Sequence, residues 1–151
     1  MPSLPRIRRT RAYSIVADDV RPPEPAELSA AGLTWIHLDA PVLERTQALA
    51  DRFGWHALDV EDVMSKRQRP KVDDYADEGY LFAVLHFPVY DRAIQRLNAG
   101  ELDIFVGPDY LVTLPTTELK PVTRLFHRCQ DDPDFRETKE QLMAKKEFMH
   151  L

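Results

Sequence analysis

Three carboxylates stand close together in the middle of the chain. Asp59, Glu61 and Asp62 fall within one turn of a segment, Ala57 to Ser65, that also carries Leu58, Val60, Val63 and Met64. At about 100° per residue, Asp59 and Asp62 share one side of a helix, away from Val60 and Met64, and Glu61 borders the apolar arc. Hard oxygen ligands of this type suit Mg²⁺ or Ca²⁺. A plainer reading competes with that one: acids in a first helical turn favour the helix dipole and solubility. On composition alone the plainer reading has precedence.

Other candidate chemistry is thinner. None of the histidines, His37, His56, His86, His127 and His150, pairs at the i, i+4 spacing that would put two imidazoles on one helix face. There is no G-x-S-x-G elbow, phosphate loop or dinucleotide fingerprint. His37 and Asp39 alternate with Trp35 on one face of a strand, where they form either an acid/base pair or a hydrogen-bonded structural pair; the structural pair is preferred. Cys129 lies on an apolar helical stripe and reads as core. Arg6, Arg8, Arg9 and Arg11 would suit nucleic acid or anionic lipid, but without interleaved aromatics they read as a solvated arm.

The elements that position these residues follow from periodicity and punctuation. Arg11 to Val16 alternates as an edge strand, and a proline-rich link, Arg21 to Pro25, follows it. Ala26 to Ala31 is expected to form a short helix stopped by Gly32. Leu33 to Asp39 reads as a strand, and Val42 to Phe53 as an amphipathic helix stopped by Gly54. Its stripe is Val42, Thr46, Leu49 and Phe53, flanked by Leu43 and Ala50. After the acidic helix, the basic loop Lys66 to Lys71 contains Pro70, which biases Arg69 away from helix.

Val72 to Tyr75 and Tyr80 to Phe87 read as strands, the second apolar on both faces and therefore interior to its sheet. Asn98-Ala99-Gly100 is expected to be a turn, and Glu101 to Val106 and Tyr110 to Leu114 a hairpin around Gly107-Pro108-Asp109. Pro121 opens a helix whose buried stripe is Val122, Leu125, Phe126 and Cys129. A last, charged helix from Phe135 to Leu151 has no cap, which suggests that the natural chain continues. The intermingled helices and strands predict one α/β domain spanning residues 1–151, a mixed parallel and antiparallel sheet sandwiched between helices.

The bulk properties agree. A chain of 151 residues with 44% hydrophobic content is of ordinary size and composition for one globular domain. A net charge of -5 disfavours a general nucleic-acid binder. The single cysteine cannot form an internal disulfide, which suits a reducing compartment. The longest apolar run, Leu81 to Tyr90, is interrupted by His86 and Pro88 and is far short of the roughly 20 residues a membrane helix needs. The domain is therefore expected to be soluble, with no secretory signal.

Two stretches raise the standing of the acidic helix. Phe53-Gly54-Trp55-His56-Ala57-Leu58-Asp59-Val60-Glu61-Asp62-Val63 resembles the F-G-h-H-P-L-h-h-E-D-h segment of CorA-type magnesium transporters, where h is apolar. Gln68-Arg69-Pro70-Lys71-Val72-Asp73-Asp74-Tyr75, followed by Tyr80 to Leu85, is similar to that family's Q-R-P-K-h-E-x-Y…Y-hhhh-L segment. Thr34 to Leu38 upstream and the hairpin ending at Leu114 fit in the same order, so the resemblance extends over about residues 33 to 126.

The resemblance implies the cytosolic α/β/α domain of a homopentameric Mg²⁺ channel that also passes Co²⁺ or Ni²⁺, a transporter and not an enzyme. The family's stalk helix, its two membrane helices and their Gly-Met-Asn motif are not in this chain. The family's regulatory site sets a carboxylate of the Glu-Asp pair against acidic residues of a neighbouring subunit. That pair matches Glu61 and Asp62, with Asp62 the stronger candidate for a weak Mg²⁺ half-site at the cytoplasmic face of a membrane. Two positions depart from the pattern. Ala57 replaces a usual proline, and Asp59 replaces an apolar or small residue, adding either a ligand or a surface charge. The alternatives are the corresponding domain of a related zinc transporter and a stand-alone soluble α/β binding protein or enzyme.

Overall fold

A computed structural model describes residues 24–65, 68–133 and 135. The expected strand at Arg11 to Val16 and the expected helix beyond Phe135 lie outside the described residues. Strands β1 (Ala26–Ala30), β2 (Leu33–His37), β3 (Lys71–Tyr75), β4 (Tyr80–Asp91), β5 (Arg96–Val106) and β6 (Tyr110–Pro115) form one sheet in the order β1-β2-β6-β5-β4-β3. Only β2 and β6 run parallel; the remaining neighbours are antiparallel. Helices α1 (Leu43–Phe53) and α2 (Ala57–Met64) lie in the crossover between β2 and β3, and α3 (Lys120–Asp131) follows β6.

The sheet is covered on both sides because β2 alternates. Ile36 and Leu38 join the main core with Leu49, Ala50, Val60 and Val63 of α1 and α2. Trp35 and His37 point the other way and meet Phe126 of α3, with ring centroids 5.0 and 5.4 Å apart. The expected helix–sheet–helix layering is therefore the observed one. The α1–α2 side of the core is aromatic: Trp55 stacks on Phe105 and donates its indole N–H to the Tyr110 hydroxyl at 3.1 Å, which satisfies a polar atom that burial would otherwise penalise.

Three local expectations are corrected. Ala26 to Ala31 is not a helix. Ala26–Ala30 is a strand paired with β2 through the turn Ala31-Gly32, whose φ values of 50° and 81° supply the two left-handed residues of a tight hairpin. Six residues are too few to hold a helix without packing, whereas the strand gains a complete ladder.

Asn98-Ala99-Gly100 is not a turn. These residues pair with Val89, Pro88 and Phe87 inside a long β4–β5 hairpin that reverses at residues 92–95, where Gln95 has φ 51°. Gly100 serves close approach: a Cβ there would lie 2.6 Å from Leu119 Cδ2 and 2.7 Å from Val89 Cγ2. Pro88 is tolerated because β3 pairs with residues 80–84 of β4 and, among the described residues, no strand pairs with that edge at Pro88.

Within α3, Phe126 and Cys129 are buried as expected, but Val122 is half-buried and Leu125 is exposed. Leu43, on the flank of the α1 stripe, is also exposed.

Candidate functional site

Helix α2 starts at His56, held in place by its backbone N–H donating to the Tyr80 hydroxyl at 3.0 Å. The polar side of α2 faces β3. On that strand Lys71, Asp73 and Tyr75 alternate with Val72 and Asp74, so they share one face and meet the helix. Asp59, Asp62 and Asp73 come together there, each offering one carboxylate oxygen, with these atoms all within 4.8 Å of one another.

The three carboxylates are held differently. Asp59 is only 1% exposed; its Oδ1 accepts from the Tyr75 hydroxyl at 3.0 Å and its Oδ2 from the Tyr80 hydroxyl at 2.6 Å. The surface-charge alternative for Asp59 is thus overturned: the side it shares with Asp62 faces the sheet, and two phenols replace water as donors. Burial, and then the carboxylate itself, raise both phenols, Tyr75 to about 12 and Tyr80 further.

Asp62 is more open. Its Oδ2 lies 2.5 Å from the Lys71 ammonium, which also reaches Asp73 Oδ2 at 2.8 Å. Lys71 is held well above the ordinary lysine range, chiefly by its hydrogen bond to Asp62 and then by that to Asp73. Glu61 is exposed on the outside of the helix and is not part of the group around Lys71.

Of the three acids the sequence singles out, Asp59 and Asp62 join the cluster and Glu61 does not, while Asp73 and Lys71 were missed as members. The signal was present in the polar alternation of Lys71-Val72-Asp73-Asp74-Tyr75. Using it required knowing which strand face α2 covers.

Behind this cluster, on the same face of the sheet, lie two more acids. Glu101 and Asp103 alternate with Phe105 along β5, and Phe105 is in the core, so both acids point beneath the helices. Asp103 is wholly buried, and neither of its carboxylate oxygens has a hydrogen-bond partner among the described residues. Glu101 Oε1 accepts from the Gln68 backbone N–H at 2.9 Å, whereas its Oε2 is buried without a partner among the described residues. Burial, then the neighbouring Glu101 charge, push Asp103 up to about 9.

The pair His37–Asp39 belongs to the opposite face. Thr113 Oγ accepts from the Trp35 indole at 2.9 Å and lies 2.7 Å from His37 Nδ1; His37 Nε2 lies 3.0 Å from Asp39 Oδ1. Thr113 can accept from the indole while donating to Nδ1, leaving Nε2–H for Asp39. Burial lowers the His37 pKa against the opposing pull of Asp39, in keeping with that neutral tautomer. Thr113 is 3% exposed, so this chain of bonds ties β2 to β6 and offers no accessible nucleophile. The hydrogen-bonded reading of the pair is the one the geometry supports. Cys129 is buried.

Comparison with known proteins identifies the family and the fold. Residues 30–146 match the CorA-like Mg2+ transporter protein family. YfjQ of Bacillus subtilis (strain 168) is 33% identical over 102 residues, which cover 66% of this chain and 30% of that protein. The cobalt/magnesium transport protein CorA of Thermotoga maritima is 33% identical over 76 residues, covering 48% of this chain and 20% of that protein. This chain therefore spans less than a third of the length of either relative. The structure of the soluble domain of CorA from Methanocaldococcus jannaschii superposes with a TM-score of 0.54 at 20% identity, over 66% of this chain and 38% of that one, and shares the fold. Among the described residues no helix is long and apolar enough to cross a membrane. Matched over most of its length and carrying the α/β layering of that domain, the chain belongs to the CorA-like Mg2+ transporter family, whose members are transporters and not enzymes.

Proposed function

We propose that this chain is the Mg²⁺-sensing domain of a divalent-metal transporter, lying at the cytoplasmic face of the membrane and assembled with identical subunits as a pentamer. The pore-forming part belongs to a longer protein. Asp62, at the edge of α2 that meets β3, supplies half of a regulatory site that acidic groups of an adjoining subunit complete, with Glu61 next to it on the outside of the helix. The observation that carries this reading is the state of Asp62: a carboxylate only 25% exposed, at the rim of a three-acid cluster, whose ion-pair partner Lys71 is shared with Asp73.

The mechanism is electrostatic. Carboxylates facing each other across a subunit interface repel, and a dication between them, keeping several of its waters, removes the repulsion and holds the subunits together. When the ion leaves, the interface loosens and the pore opens. A millimolar site is worth about 4 kcal/mol at standard state. At about ten times its dissociation constant, ligand biases one state by about 1.4 kcal/mol. One site is a poor switch, whereas several around a ring add up to a decisive shift in population.

The test is Asp62→Asn in the full-length transporter. Mg²⁺-dependent protection from limited proteolysis is expected to weaken and to need higher Mg²⁺; protection identical to the parent's overturns the assignment of Asp62. Uptake assays with Mg²⁺, Co²⁺, Ni²⁺ and Zn²⁺ on the same protein distinguish a magnesium transporter from a zinc-transporting relative.

A further inference from the structure

Lys71 is a cation already seated among the carboxylates. Its ammonium bridges Asp62 and Asp73 at 2.5 and 2.8 Å. Asp59, the third acid, is satisfied by its two tyrosine hydroxyls. A dication on Asp62 and the Lys71 ammonium compete for the same oxygens, and their like charges repel at such distances.

A second feature shows where the ammonium can go. Lys71 pairs with Val84, and Val84 pairs with Asp103, so the three form one row across β3, β4 and β5 beneath α2. At the far end of that row Asp103 is wholly buried, and both of its oxygens, with Oε2 of Glu101, lack a hydrogen-bond partner among the described residues. Buried carboxyls without donors call for a cation or a proton. The Lys71 ammonium already lies over β4, 5.5 Å from the centre of the Phe82 ring.

Resting on the reading that Asp62 takes a dication, we propose that Lys71 is a resident, displaceable counter-ion: it fills the cation position between Asp62 and Asp73 when the dication is absent, and swings across β4 to Glu101 and Asp103 when the dication binds. There the ammonium supplies the donor that these buried oxygens lack. Lys71 thereby sets a low affinity at Asp62, since the dication enters only at the expense of a charged lysine. It also carries the binding event from the surface of α2 to the middle of the sheet.

Mg²⁺ titration of the 151-residue chain and of Lys71→Met tests this. Methionine keeps an apolar stem over Phe82 and removes the ammonium. Lys71→Met is expected to bind Mg²⁺ about tenfold more tightly than the parent, because two charge-assisted hydrogen bonds no longer have to be broken. In the parent, the carbon NMR signals of Lys71 Cε and the Asp103 carboxyl are expected to move with those of Asp62 at one midpoint.

Equal affinity in the two chains overturns the proposal, as do Lys71 signals that Mg²⁺ leaves unmoved. Should Lys71→Met not fold, the parent's signals decide alone. Protection lost in the full-length Asp62→Asn transporter, with Lys71→Met binding no tighter, defeats the counter-ion and keeps the sensor. Protection unchanged there defeats the Asp62 site and with it the counter-ion role of Lys71.

Discussion

Asp103 is expected to make the domain less stable as pH rises through neutrality, the reverse of the usual behaviour of a carboxylate. Buried beside Glu101, it is pushed from an ordinary 3.8 up to about 9. Between about pH 5 and pH 8 the folded chain therefore holds a proton that the unfolded chain has lost. Because the unfolded state binds fewer protons, stability falls with rising pH, by about 1.4 kcal/mol per unit for one group. From pH 6 to pH 8 that amounts to about 3 kcal/mol, a large share of the 5–15 kcal/mol that holds a typical domain together.

Burial sets the sign, and the charged groups around Asp103 adjust it. Glu101 on its own strand and Asp62 on α2 favour the proton, and Lys71 on β3 opposes them; His86 on β4 has its Nε2 3.8 Å from Glu101 Oε1. Asp103→Asn keeps the side-chain shape and removes the titration. Urea denaturation of both chains at pH 6, 7 and 8, followed by far-UV circular dichroism, measures the effect. The parent should lose about 3 kcal/mol more than the variant between pH 6 and pH 8, with the variant the more stable at the upper end. Parallel losses in the two chains would show that Asp103 carries no proton at neutral pH, and the argument from burial would fail.

Two further outcomes are expected from packing. Tyr80→Phe removes a donor to Asp59 and an acceptor for the His56 N–H, and should cost about 2–3 kcal/mol, against about 1 kcal/mol for Tyr75→Phe, in the same denaturation assay. Gly100→Ala forces a Cβ against Leu119 and Val89 and should cost about 1–3 kcal/mol; a neutral result would mean that the β4–β5 arm yields freely there.

Much of the architecture was legible in local pattern. The stripe of α1, the Gly54 stop with φ 74° and the β5–β6 hairpin all follow from rules that act over a few residues. Failures came where tertiary contact overrides local preference. Ala26 to Ala30 has helical composition but is drawn into the sheet by β2, and Gly100 is a glycine for packing, not for turning. Asp62 was legible because its neighbours form a recognisable segment, whereas Asp73 and Lys71 depended on which face of β3 the helix covers. Asp103 shows the deepest limit: the strand from Glu101 to Val106 was legible, but nothing local says which of its faces the helices cover. Only the presence of α1 and α2 over that face makes those acids buried.

That burial bears on how an ion bound at the surface of α2 is felt elsewhere. A charge exchanged on an exposed helix is screened within about 8–10 Å at physiological salt. Here the acids continue inward, from half-open Asp62 through Lys71 to wholly buried Asp103, and screening weakens along that path as water is left behind. The outer carboxylate can exchange ions, and the inner one makes any change of charge costly. β5 also pairs with β6, and β6 with β2, so a shift at Asp103 acts on the strands between the two helical layers. Replacing Asp103 with asparagine should therefore leave Mg²⁺ able to reach Asp62 while breaking the link to the sheet. Mg²⁺ would still move the Asp62 carboxyl signal, but the displacement of Lys71 Cε should shrink. A Lys71 displacement of full size in Asp103→Asn would mean that the two ends of the row are independent.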